Sequence, residues 1–393
     1  MALYNSLYKV EILDNKLSAV GIIQAFVPLS HGSWLEYTSV LSGVGECRFR
    51  VMTKDPIFKA LGDILQPFQF HVRVTRGNFV VWQGVITKNP HREKKFIEVE
   101  AKTYLYLLDK ILLRHDAPDN NGAENFRNFI TGTMSNAVQT ILTEPAFGNF
   151  ALSSTNSVLG GIKIGSVENP LFPNYFIDAN NNPVGGQPWN FATPGLSLKF
   201  DYQTLLYTLK AFGMYSNSDF ELTNDLTFNF KKLIGNVNNG IYFNYSSHGN
   251  IENYDLVLNG ERMVNYLVGL GADNNAKFIQ DAVSQNDSIV KYGQLMGIAA
   301  FSDVKNLNTL RSRLNEQLRL VSKPDTELAI ELNQRAYPLG QYGLGDTVRV
   351  RIVNNIINFD QQRRIVKIMV DVTNTGREKI KLVTNYPRPE QLT

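Results

Sequence analysis

The five histidines of this chain, His31, His71, His91, His115 and His248, are the side chains best suited to hold a metal or move a proton near neutral pH. No two stand at a metal-ligand spacing, and the single cysteine, Cys47, gives them no thiolate partner. Each therefore reads as a surface or hydrogen-bonded polar residue. His31-Gly32-Ser33 and Ser246-Ser247-His248 set hydroxyls beside imidazoles. Sequence neighbours rarely form a nucleophile–base pair, however, and no nucleophile elbow accompanies either. Gly160-Gly161, Gly185-Gly186 and Gly269-Leu270-Gly271 lack the Gly-Lys-Ser/Thr of a phosphate loop. Glu98 and Glu100 lie two apart on a strand, which places both on its solvent face with no acid–base role. The expectation is no enzyme: no catalytic, cofactor-binding or metal site, and no cofactor. A carboxylate pair remote in sequence, of the glycosidase kind, is the chemistry that spacing leaves open.

Composition narrows the classes further. Hydrophobic residues make up 43% and charged residues 19% of 393 positions, which suits packed cores rather than disorder. The formal charge of +3 comes without a run of Lys or Arg, so neither nucleic acid nor a membrane surface is implied. One cysteine forms no internal disulfide, consistent with folding in a reducing cytoplasm, and Cys47 reads as a small buried apolar residue. No secretory leader is visible, and no apolar stretch approaches the roughly 20 residues of a membrane span.

The elements that would position any site are mainly strands. Tyr8–Leu13, Phe68–Val74, Phe79–Ile86 and Phe96–Ala101 alternate or run apolar, with turn chemistry at Arg76-Gly77-Asn78 and a short helix near Asp55–Leu65. Helical spacing follows over Ala123–Leu142, where Phe126, Phe129, Ile130, Met134, Ala137, Val138 and Ile141 share a face, and again near Tyr202–Met214. Between them, Pro145–Pro194 is rich in Asn, Gly, Pro and Ser and reads as a long surface excursion. A third helix is expected to start near Ser302-Asp303, with a Leu307, Leu310, Leu314, Leu318, Val321 stripe stopping before Pro324. Strands return at Glu327–Leu332, Thr347–Ile352, Arg364–Val370 and Lys379–Val383.

The fold class expected is β-rich α+β and multidomain, with two related antiparallel β-barrel domains and inserted helical and loop domains. The divisions are 1–112 (N-terminal β-barrel), 113–215 (helical and Asn/Gly/Pro-rich insertion) and 216–393 (second β domain). The last carries a helical insertion at about 277–323 and C-terminal strands at 326–384. The two β regions share a cadence: Val72-Arg73-Val74, Gly84–Lys88 and Ile97–Val99 are echoed by Val348-Arg349-Val350, Arg364–Ile368 and Ile380–Leu382. Either any two meanders look alike, or the domain is duplicated. Duplication would let three chains present six similar positions around a ring.

Asn286-Asp287-Ser288-Ile289-Val290-Lys291-Tyr292-Gly293 resembles the Asp-Ser-Ile-x-x-Tyr-Gly stretch of the hub proteins of phage tails and contractile injection machines. The helix to Val321, Pro324, Leu344-Gly345-Asp346-Thr347-Val348-Arg349-Val350, Arg363–Ile368 and a closing hairpin at Gly376 follow in that family's order, over roughly 281–383. Arg73–Gly77 to Gly84–Ile86, followed by Leu105–Leu113, is compatible with the family's opening barrel. The resemblance implies a homotrimeric ring closing the tail tube at the tip or baseplate. Its implied partners are a distal tail protein or tube ring, the tape-measure protein and a fibre or spike protein. DNA would pass through without sequence-specific binding, and no membrane anchor is implied. The location implied is the virion, after assembly in the host cytoplasm. Trp34, Tyr175, Asn181 and Trp189 are candidate interface residues, because exposed aromatics anchor interfaces, whereas Trp82 in its strand reads as core. A carbohydrate-binding module using Trp189 and Tyr175 is the alternative, and a cell-wall hydrolase a more distant one.

Overall fold

Glu46-Cys47-Arg48-Phe49-Arg50-Val51-Met52 buries Cys47, Phe49 and Val51 and turns the others outward, the period-two pattern of a strand with one wet face. The same rule recurs in many of the strands that follow. The computed structural model describes residues 7–29, 32–61, 65–88, 91–92, 95–113, 132–143, 162–172, 176, 178, 180, 182–190, 193, 203–274, 277–301, 304–333, 335–373 and 377–385. The N-terminal series is β1 (Tyr8–Leu13), β2 (Ala19–Ile22), β3 (Phe26–Val27), β4 (Ser33–Val40), β5 (Glu46–Met52), helix α1 (Pro56–Leu61), β6 (His71–Arg76), β7 (Phe79–Lys88), β8 (His91–Arg92) and β9 (Phe96–Thr103). Asp55 starts α1: its buried carboxylate accepts from Ile57 N–H at 2.9 Å and, across the chain, from Gln24 and Ala25 N–H.

A second unit follows: α2 (Leu105–Leu108), α3 (Met134–Thr143), β10 (Lys163–Val167), α4 (Leu205–Ser216), β11 (Asp219–Leu222) and β12 (Thr227–Lys231). The strands pair in the order β10-β12-β11. Met134, Ala137, Val138 and Ile141 of α3 do face one core, whereas Phe126, Phe129 and Ile130 of the expected face lie outside the described residues. The excursion at 145–194 is not purely surface, because Phe172, Phe176, Val184 and Trp189 are buried in that same core.

Then come β13 (Val237–Tyr245), β14 (Ile251–Asn259), β15 (Tyr266–Asn274), β16 (Lys277–Ser284), α5 (Asn286–Tyr292), β17 (Met296–Ala300), α6 (Leu307–Val321), β18 (Asp325–Leu332), β19 (Thr347–Val353), β20 (Asn358–Thr373) and β21 (Glu378–Asn385). The expected helical insertion at 277–323 is therefore half sheet, β16-β15-β17 covered by α6. The α6 cap is Asn306, whose side chain accepts from Asn308 and Thr309 N–H, while Ser302 and Asp303 lie outside the described residues.

Two closed barrels are not what the pairing describes. Among the described residues the strands run as one open path, β14-β18-β21-β20-β4-β5-β9-β7-β6-β1-β2, with β13 and β19 branching from β20. The reason is β20: one edge of this 16-residue strand pairs first with β19 and then, from Lys367 to Thr373, with β4. That junction merges the two β regions into one sheet, and one core runs from Val10 through Val99 to Leu382. The sequence echo survives as topology. The four strands β5, β6, β7 and β9 pair in the order β5-β9-β7-β6, and β18, β19, β20 and β21 pair in the equivalent order β18-β21-β20-β19, antiparallel throughout.

Candidate functional site

Among the described residues no histidines gather into a metal-holding group. His71 is 2% exposed, and neither ring nitrogen has a hydrogen-bond partner. Burial pushes its pKa down to about 4, against the opposing charge of Asp14. That corrects the expectation of a surface or satisfied residue at this position. His248 takes a 3.0 Å hydrogen bond between Nδ1 and the Ser247 hydroxyl in an exposed turn. No carboxylate orients the ring among the described residues. His31 and His115 lie outside them. No group of three His, Cys, Asp or Glu among the described residues could hold a metal ion. Cys47 is fully buried and burial raises its thiol pKa well above the usual range, the signature of an inert thiol.

Glu98 and Glu100 do share a strand face, and both reach Arg48 at 3.1 and 3.6 Å, but at Glu98 that face is not open to solvent. Glu98 is buried and held by Arg48 at 3.1 Å and Arg50 at 3.0 Å across the β5–β9 pair, while Glu100 stays partly exposed near Lys88. A carboxylate fixed between two guanidiniums is a structural brace rather than a proton donor.

The stretches that carry the family resemblance turn out to be clamps. Ser288 of α5 donates to Ser322 O at 2.6 Å, and the Asn265 side chain bridges Gly293 O at 2.7 Å and Leu295 N at 2.7 Å. Gly293 sits at φ +79, which explains the glycine closing that stretch. In Leu344-Gly345-Asp346, Gly345 sits at φ +85, and a Cβ there would lie 2.1 Å from Ile234 O. Asp346 accepts from Asn236 N–H at 2.8 Å and Gly343 N–H at 2.9 Å. Arg364 is buried and donates to Asp219 at 2.5 Å, Ile234 O at 2.8 Å and Gly345 O at 3.1 Å. It thus ties β20 to β11 and to the loop after β12. Its neighbour Arg363 donates to Thr326 O and Thr384 O. Arg76 and Glu378 pair at 2.6 Å between β6 and β21, beside the buried Tyr8–Tyr37 hydroxyl pair.

The predicted interface residues are placed unevenly. Trp34 is 1% exposed and packs on Phe26 at 4.3 Å between ring centroids. Trp189 is 3% exposed between Phe172 and Phe176, at 4.5 and 5.4 Å. Both are core side chains of this chain, because each finds aromatic neighbours from its own fold. Tyr175 and Asn181 lie outside the described residues. Trp82 is buried, as its strand position implied. Sequence reasoning missed the exposed apolar surface around β17 and α5, where Met296 is 64%, Ile298 73% and Val290 88% exposed. The signal was there in Met296-Gly297-Ile298-Ala299-Ala300, a strand apolar on both faces.

The fold is that of phage tail proteins. It is similar to the 43 kDa tail protein of prophage MuSo2 from Shewanella oneidensis, with TM-score 0.61 and 12% identity over 98% of this chain and 100% of that one. It is also similar to the tail protein from Neisseria meningitidis MC58 (TM-score 0.58, 13% identity, 96% of each chain). A third likeness is to prophage tail protein gp18 from Listeria monocytogenes EGD-e (TM-score 0.53, 14% identity, 97% of this chain and 96% of that one). Residues 237–391 match the family described as Prophage endopeptidase tail. The resemblance read from the sequence over roughly 281–383 is borne out, inside that match. No curated protein sequence matches the chain. Among the described residues no helix is long and apolar enough to cross a membrane.

Proposed function

We propose that this chain is the hub of a phage tail tip or baseplate. Three copies form a ring that closes the tail tube, surrounds the path of the ejected DNA and joins the tube to fibre or spike components. The observation that carries this reading is the repeated four-strand order, β5-β9-β7-β6 and β18-β21-β20-β19, within a fold shared with tail proteins over the whole chain. Two like units per chain give a cyclic trimer six like positions, the match needed to mate with a six-fold tube. The chain's role is assembly, not catalysis. Its partners on this reading are the distal tail protein or tube ring above, and the tape-measure and fibre or spike proteins below. The particle is assembled in the host cytoplasm and the chain resides in the virion.

Buried Trp189 weakens a carbohydrate-binding reading by taking away one of the two aromatics it used, Tyr175 lying outside the described residues. The deciding measurement is molar mass by light scattering, with negative-stain images of the same peak. A mass about three times 44.3 kDa and a ring with a central hole are expected. A compact monomer that persists in the presence of the other tail proteins sinks the hub reading.

A further inference from the structure

We propose that Asn259-Gly260, in the turn that leaves β14, is a self-modification site, where the Asn259 side-chain amide is lost as ammonia and a carboxylate takes its place.

An asparagine followed by glycine lets a backbone nitrogen reach a side-chain carbonyl, because glycine has no Cβ to hold the two apart. The sequence has three such pairs, Asn121-Gly122, Asn239-Gly240 and Asn259-Gly260. The first lies outside the described residues, and the other two stand in different surroundings. Asn239 lies inside β13, and among the described residues its side chain bonds no backbone group that follows it. Asn259 ends β14, and the chain turns there, with Gly260 O accepting from Met263 N–H at 3.0 Å.

The Asn259 side chain is part of that turn. Its Oδ1 accepts from Glu261 N–H at 2.9 Å. A bond to the amide two residues on curls the side chain back over the intervening peptide, which sets Cγ beside the Gly260 nitrogen. The same donor polarises the carbonyl under attack and stabilises the oxyanion that forms. Among the described residues nothing accepts from the Gly260 N–H, so the nucleophile has no bond to give up. Asn259, Gly260 and Glu261 are all exposed, so water has access.

The chemistry needs only that water. The Gly260 nitrogen loses its proton to hydroxide and bonds to Asn259 Cγ. The bond from Cγ to the side-chain nitrogen breaks, and that nitrogen takes up a proton and leaves as ammonia. Water then opens the cyclic imide at one of its two carbonyls. Attack at Cγ leaves aspartate, and attack at the backbone carbonyl leaves isoaspartate. Nothing is oxidised or reduced. Either product puts a carboxylate at the last rung of the β14–β18 pair, where position 259 faces Asp325 and Glu261 follows. Like charges directly opposite weaken a strand pair, and isoaspartate also adds a methylene to the backbone. This end of β14 therefore loosens irreversibly as the protein ages.

The test is peptide mapping by mass spectrometry of the purified full chain, aged at mildly alkaline pH in buffer and in concentrated urea. In the folded chain Asn259 should convert at least about tenfold faster than Asn239. In urea, where only the shared Asn-Gly sequence remains, the ratio should fall towards one. Gly260→Ala has room for its methyl, since a Cβ there meets nothing within 4 Å. Circular dichroism checks its fold, and it should slow conversion at Asn259 about tenfold. Equal rates at Asn239 and Asn259 in the folded chain overturn the proposal, as does an Asn259 rate unchanged by Gly260→Ala. The comparison of the two wild-type sites decides the matter even if that variant does not fold.

Discussion

Replacing His71 with leucine should remove an acid-sensitive weakness from the N-terminal part of the large sheet. His71 lies on β6 between Leu13 of β1 and Val85 of β7, with the Tyr104 ring 5.6 Å away and both nitrogens unpartnered. Burial holds its pKa at about 4, where an unfolded chain has 6.5. Between those values the unfolded state binds the extra proton, so stability rises with pH across the window. The contribution is fully present above pH 6.5 and is lost as the pH falls towards 4. At 1.36 kcal/mol per pH unit, the drop from 6.5 to about 4 corresponds to a loss of about 3 kcal/mol.

The assay is urea unfolding followed by the fluorescence of Trp34 and Trp82, both buried in the same core as Val72. It is run at pH 7 and at pH 4 for wild type and His71→Leu. Carboxylates also titrate in this range, so the quantity of interest is the difference between the two proteins. The variant should lose about 3 kcal/mol less than wild type on going to pH 4. At pH 7 it should be no less stable, since two buried polar atoms without partners cost about 1–3 kcal/mol. An equal pH dependence for both proteins, or an imidazole NMR titration with a midpoint near 6.5, refutes the reasoning.

Asp219→Ala leaves the Arg364 guanidinium buried without its carboxylate and should cost about 3–5 kcal/mol in urea unfolding, while Asp219→Leu with Arg364→Met should restore most of that. A single-variant loss below about 1 kcal/mol would mean that the pair does not hold β20 to β11. Gly345→Ala forces a Cβ against Ile234 O at a positive φ and should cost about 2 kcal/mol or more, read as a lower thermal midpoint. Deleting 180–186 removes buried Val184 and its N–H bond to Phe176 O, along with the Gly186 N–H bond to Phe172 O. The second core should therefore loosen, with faster proteolysis and a changed Trp189 signal, rather than the fold staying intact. Zymography on host cell walls and on protein substrates should show no cleared band, and a band that survives further purification would overturn the non-enzymatic reading.

Strands with one wet face were legible because their side-chain alternation is written in the residues: Val72-Arg73-Val74 and Val348-Arg349-Val350 bury the valines and leave the arginines outside or half-buried. The same rule made Met134, Ala137, Val138 and Ile141 readable as one helical face. It failed where burial does not follow a period. Val237-Asn238-Asn239-Gly240 looks like a turn, yet it enters β13, whose parallel partner β19 is over a hundred residues away and leaves no local trace. The merging of two β units into one sheet had the same cause, since the β4–β20 register from Val40↔Lys367 onward is a contact of the fold, invisible to any window of sequence. Trp34 and Trp189 were misplaced for a different reason. An aromatic in a loop-like stretch reads as exposed, but Phe172 and Phe176 close over Trp189 only once the chain has folded back. The converse holds at β17. A strand apolar on both sides announces two covered faces, yet Met296 and Ile298 stay exposed while Ala299 is buried.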